Sequence, residues 1–151
     1  MYQRILVPID GSSTAARGLV EATRLAKDQG ATLRVIHVVN ELTMVASYEG
    51  VIYSGELIDA LRENGRTILT KAAEQLKASG LQVETALLEA HGGNAGDTIV
   101  KDAEQWQADI IVLGTHGRRG LGRLVMGSDA EQVVRQAKVP VLLVRSLPAT
   151  K

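Results

Sequence analysis

Short apolar runs alternate along this chain with longer stretches whose apolar residues recur at helical spacing. Ile5 to Ile9 is the first run, β-branched and continuous, and it predicts a strand buried on both faces. Asp10-Gly11-Ser12-Ser13 then supplies turn and cap residues ahead of a helix with Ala16, Leu19, Thr23 and Ala26 on one face and Gly30 as its stop. Leu33 to Val39 reads as a second strand, and strand, helix, strand in this order implies a right-handed parallel crossover. His37, inside that apolar run, reads as a core histidine.

Residues 40 to 55 have no clean period and read as a loop. From Glu56 the positions Ile58, Leu61, Ile68, Leu69, Ala72 and Leu76 predict one long helix reaching Gly80, interrupted only by Gly65. Leu81 to Glu89 alternates apolar and polar residues, which suits a strand partly open to water at a sheet edge. The glycine-rich stretch from Ala90 to Asp97 leads into a helix presenting Ile99, Ala103 and Trp106 to the core. Ile110 to Leu113 is another buried strand. Val133, Val134 and Ala137 mark a last helix, and Val139 to Val144 a last strand whose Pro140 places it at an edge. The whole of residues 1–151 therefore predicts a single doubly wound α/β domain with a parallel sheet and helices on both faces.

The chemistry concentrates after the fourth strand. Between Gly114 and Gly127 the chain carries His116, Arg118, Arg119 and Arg123 and no acid, while Gly117, Gly120 and Gly122 allow backbone amides close to a ligand. Ser128 and Glu131 have capping-box spacing, so a helix is expected to begin there and turn its positive end toward the loop. Strand, loop and helix together describe an anion site suited to a phosphate chain. No acid stands near His116 to orient it, which favours positioning over acid-base catalysis.

Composition narrows the partners. Seventeen basic residues balance seventeen acidic ones, so nothing in the overall charge recruits nucleic acid or an anionic membrane. There is no cysteine, hence no disulfide or thiolate chemistry. The first apolar run is too short for a signal sequence, and none approaches the roughly 20 residues of a membrane span, so a cytoplasmic protein without membrane insertion is expected. No metal-ligand spacing of His, Asp and Glu appears.

Gly114-x-x-Gly117 followed by nine residues and Gly127-Ser128 resembles the nucleotide-binding motif of the universal stress protein family. The likeness spans nearly the whole chain. The P-loop pattern is missing, and Gly120-Leu121-Gly122 is followed by Val125 where a dinucleotide fingerprint requires glycine. The resemblance, with the edge-like third and fifth strands, implies the order 3-2-1-4-5 for a five-stranded sheet. The ligand crevice then lies between strands one and four. It further implies ATP or another adenine nucleotide, with Mg, as the bound cofactor. Pro8-Ile9-Asp10-Gly11-Ser12 is similar to the family's first motif, so Pro8 and Asp10 lie beside the nucleotide, with Asp10 also able to hold the cation. Val38 matches the position whose backbone contacts adenine. Gly114, His116, Gly117, Arg118, Arg119, Gly127, Ser128, Asp129 and Ala130 complete the expected site. Asp129 and Ala130 depart from the family pattern: the acid repels a triphosphate unless Mg intervenes, and the alanine lacks a hydroxyl.

The function implied is a nucleotide-dependent stress-response or regulatory switch acting through an unidentified protein partner, in a homodimer joined through the C-terminal strand. The alternative is an ATP-cleaving enzyme of the related nucleotide alpha-hydrolase architecture, a slow ATPase or adenylate transferase. Neither an S-G-G-x-D-S loop nor H-I-G-H and K-M-S-K-S motifs occur, and no catalytic residue is assigned, so no enzymatic activity beyond slow ATP hydrolysis is expected. A nucleotide-free interaction protein ranks last because the glycine loop is present.

Overall fold

The computed structural model describes residues 1–40, 55–92, 94–115 and 126–145. Nine elements alternate through them: β1 (Arg4–Pro8), α1 (Ser13–Gln29), β2 (Thr32–Asn40), α2 (Gly55–Lys77), β3 (Val83–Ala90), α3 (Ala95–Trp106), β4 (Ile110–Gly114), α4 (Ser128–Gln136) and β5 (Val141–Val144). All neighbouring strands pair in parallel, in the order β3-β2-β1-β4-β5. This is the expected doubly wound sheet.

Period-two alternation divides the core into two layers. Ile5, Val7, Leu33, Val35, Ile110 and Val112 face α1 and α2, whereas Leu6, Ile36, Ile111 and Leu113 face α3 and α4. Ile5, Leu6, Leu33, Ile36 and Ile111 are fully buried, each contributing about 1.5–3 kcal/mol by leaving water. Apolar residues on both faces explain why these strands read as continuous hydrophobic runs.

Three local expectations are corrected. On α1 the buried side is Thr14, Ala15, Gly18, Leu19, Ala22 and Ala26, with Ala16 exposed, because Gly18 turns inward to let β4 approach. Gly65 does not interrupt α2. It is buried where a Cβ would stand 2.6 Å from Leu87 Cδ1 and 2.7 Å from His37 Cδ2, so the missing side chain lets the helix lie against β2 and β3. Val134 does not pack α4 into the core but is 42% exposed, leaving Ala130 and Val133 as the buried pair.

The edge of the sheet at the strand N-termini is closed by polar contacts. Asp109 Oδ2 accepts from the Gln3 and Arg4 amides at 2.7 and 2.9 Å. Arg4 lies 4.3 Å over the Trp106 ring and donates from Nε to the Trp106 carbonyl. Arg34 makes two 2.9 Å bonds to the buried Asp102 carboxylate, which hold its guanidinium pKa above the usual value. Among the described residues, no buried side-chain nitrogen or oxygen lacks a partner. None of their helices is long and apolar enough to cross a membrane. The opposite edge, at the strand C-termini, is where the loaded sequence lies.

Candidate functional site

β1 and β4 are neighbours, but the chain leaves them in opposite directions across the sheet, toward β2 and β5. Their C-terminal ends therefore form the switch point of the sheet, the position where open parallel sheets take ligands in a crevice. Pro8, half-buried at the end of β1, pairs with Ile36. Asp10 follows, and its Oδ1 accepts the Ser12 amide at 2.9 Å in an Asx turn. Gly11 has φ 83, a conformation that favours glycine. Ser12 then caps α1, its Oγ accepting from the Ala15 amide. Val38 is half-buried in β2 and packs toward the α3 and α4 layer.

The other wall is the end of β4. A Cβ on Gly114 would meet Thr14 of α1 at 2.7 to 2.8 Å, so this glycine is required by the approach of two backbones. Thr115 is buried; its amide donates to the Val144 carbonyl at 3.0 Å, and its carbonyl accepts from the Gly127 amide at 2.8 Å. The two ends of the arginine-bearing stretch are thereby tied together. His116, Gly117, Arg118 and Arg119 lie outside the described residues.

Ser128 is the first residue of α4 and not its cap, which corrects the capping-box reading. The N-cap is Gly127, which has no side-chain cap hydrogen bond, whereas α1 and α3 are closed by Ser12 and Asn94. The first amides of α4 therefore have no side-chain cap at the positive end of the helix. Ala130 buries its methyl in the core. Asp129 turns toward the start of α3, where the Gly96 and Ala95 amides donate to its carboxyl. Although the residue as a whole is exposed, desolvation of that carboxyl is the largest influence, and with the nearby charge of Asp10 it raises the pKa against the lowering effect of those amides.

Two groups of supporting residues had no distinctive sequence mark. Gly96 lets α3 approach α4, since a Cβ there would stand 2.8 Å from Gln132 Cβ and 3.0 Å from the Asp129 carbonyl oxygen. Gln132 bridges the two helices, accepting from Asn94 and donating to Asp97. His37, buried in β2, places Nδ1 2.8 Å from the Ile9 carbonyl oxygen. Only the flanking apolar residues of His37 were legible, and they indicated burial without a partner.

Among the described residues no group of three or more His, Cys, Asp or Glu is arranged to hold a metal ion. The residues present fit a phosphate group, because α4 begins with amides that have no side-chain cap and the Asp129 carboxyl of its first turn meets the amides at the start of α3.

Comparison with known proteins agrees with this fold. The model of the universal stress protein family matches residues 1–145. The universal stress protein YxiE of Bacillus subtilis is 36% identical over 151 residues, covering 96% of this chain and all of that one. A universal stress protein of Archaeoglobus fulgidus solved in complex with dAMP superposes with a TM-score of 0.65 at 27% identity, over 95% of this chain and 98% of its own. One solved in complex with cAMP superposes with a TM-score of 0.69 at 25% identity, over 95% and 97%. On its fold and these likenesses, the chain belongs to the universal stress protein family.

Proposed function

We propose that this protein binds an adenine nucleotide in the crevice between β1 and β4, with ATP and Mg as the working form, and that the bound nucleotide biases its association with a protein partner. The observation that carries the reading is the start of α4. Its side-chain-uncapped amides open at the end of the stretch bearing Arg118, Arg119 and Arg123, where β1 and β4 diverge. Charge-assisted contacts of amides and guanidinium groups to phosphate contribute on the order of 1.5 to 3 kcal/mol each. The family structures holding dAMP and cAMP support the adenine nucleotide class.

Each residue has a part in this reading. Gly114, Gly117, Gly127, Ser128 and Ala130 offer backbone to the phosphates, His116, Arg118 and Arg119 charge or hydrogen bonds, and Val38 backbone to the base. Pro8 shapes the end of β1 so that Asp10 stands beside the ribose and phosphates. Mg supplies charge neutralisation at the phosphates. Asp10 would be the side chain to hold it, with the Asp129 carboxyl close enough to feel the charge of Asp10. The protein acts in the cytoplasm as a homodimer joined through β5, an edge strand that leaves Leu142 and Leu143 exposed at 40% and 36%.

Mass spectrometry of small molecules released from gently purified protein, followed by calorimetric titration with ATP, AMP and GTP with and without Mg, tests the reading. An adenylate is expected in the released fraction, with micromolar or tighter binding of ATP. A protein that carries no nucleotide and binds none of the three refutes it.

A further inference from the structure

β1 and β2 share a ladder only as far as Ile9, whose amide donates to the Ile36 carbonyl at 2.8 Å. Beyond it β1 turns away into Asp10 and Gly11. A carbonyl at such a divergence must find another donor or lose the free energy of a hydrogen bond. The Ile9 carbonyl finds His37, one residue beyond Ile36, whose ring Nδ1 lies 2.8 Å away in a site only 7% exposed. Since a carbonyl oxygen only accepts, Nδ1 carries the hydrogen. The ring is held from the other side by α2. Gly65 lies over it so closely that a Cβ would stand 2.7 Å from Cδ2 and 3.3 Å from Nε2. The next residue after Ile9 is Asp10, whose Oδ1 accepts the Ser12 amide.

We propose that His37 is a positioning residue for the nucleotide site. Clamped under Gly65, it donates to the Ile9 carbonyl and fixes the turn that presents Asp10. The inference rests on the proposed nucleotide reading for its consequence, but its geometry exists in the free protein. A buried histidine kept only for packing would be replaceable by any apolar residue of similar volume. A positioning histidine is replaceable only by a side chain with a donor at the Nδ1 position. Asparagine carries its amide nitrogen the same number of bonds from Cα as Nδ1, whereas glutamine carries it one bond further, near Nε2. His37→Asn therefore preserves the contact and His37→Gln does not, although both vacate ring volume beneath α2 and both lower the Tm.

The test uses the full chain with two readouts. The first is NMR of the free protein. A wild-type His37 ring protonated on Nδ1 is expected, together with a Ser12 amide protected from exchange by Asp10. That protection should survive in His37→Asn and collapse in His37→Gln. The second is calorimetric affinity for ATP with Mg, expected to fall on the order of tenfold in His37→Gln and to be restored within a few-fold in His37→Asn. Equal Ser12 protection in both variants, or a wild-type ring protonated on Nε2 alone, overturns the positioning role whether or not nucleotide binds. A wild type that binds no ATP while the Ser12 pattern holds overturns the nucleotide reading and leaves His37 as the residue that sets the turn.

Discussion

Gly114 at the end of β4 lies so close to Thr14 in the first turn of α1 that a Cβ on the glycine would stand 2.7 Å from the Thr14 carbonyl carbon and 2.8 Å from its oxygen. The first glycine of the loop motif thus serves the junction of sheet and helix, whatever its part in the proposed site. Gly18, one turn along α1, packs on the same spot, 3.3 Å from the Gly114 amide nitrogen by the same measure. Gly114→Ala must move backbone against backbone. It is expected to destabilise the protein by about 1–3 kcal/mol in urea titration and to weaken ATP binding in parallel. An alanine variant as stable as wild type would refute this account of the glycine.

Gly127→Val separates the two roles that glycines have here. Gly127 has φ −59 and ψ 152, a conformation open to other residues, so the fold does not demand glycine on backbone grounds. A branched side chain at the N-cap of α4 would stand before the amides proposed to bind phosphate. Far-UV circular dichroism is expected to be unchanged while ATP affinity falls at least tenfold in calorimetry; unchanged affinity would remove Gly127 from the site.

The Asp129 carboxyl titrates above the usual carboxylate range, chiefly through desolvation. The folded protein therefore takes up its proton more readily than the unfolded chain, and this contribution is present at acid pH and lost as pH rises through the raised folded value. Asp129→Asn keeps an acceptor for the Gly96 and Ala95 amides and removes the repulsion from Asp10. Its Tm should exceed that of wild type at pH 7, by a modest margin because solvent screens an exposed residue, and the two should converge below about pH 4, where aspartate is ordinarily protonated. A Tm difference that does not change with pH would contradict this.

The exposed residues of β5 locate the expected dimer contact more narrowly than the apolar run did, since Val141 packs toward α3 and α4 while Leu142 and Leu143, on opposite faces of the edge strand, are both exposed. Leu142→Glu with Leu143→Glu should give a folded monomer by light scattering beside a dimeric wild type. A wild type that is monomeric at micromolar concentration ends the proposal.

Nucleotide is expected to be held and turned over slowly. Phosphoryl transfer needs a group that orients the attacking water, and efficient kinases reach roughly 1 to 100 per second. In the proposed reading Asp10 would serve the cation, and its Oδ1 also accepts the Ser12 amide, while the Asp129 carboxyl meets the amides at the start of α3, so neither carboxylate is set to orient a water. In a single-turnover assay with labelled ATP and Mg, hydrolysis slower than about one per minute is expected. Faster turnover that disappears in Asp10→Ala would favour the enzyme reading.

The amino-acid sequence by itself determined the alternation of strands and helices, because burial on both faces of a parallel sheet leaves unbroken apolar runs such as Ile5 to Ile9 and Ile110 to Leu113, and amphipathic helices leave a 3.6-residue period. It also marked the glycine loop after β4, whose spacing carried the family likeness. What it could not express is which residues meet across the chain. Gly65 reads as a helix defect until His37 and Leu87 are beneath it, and Gly114 as a ligand glycine until Thr14 is against it. Asp129 reads as an acid facing phosphate until the start of α3 arrives to occupy it. Such contacts join residues far apart in sequence, and local periodicity carries no record of them; only packing the layers decided that His37 would hold the carbonyl before Asp10.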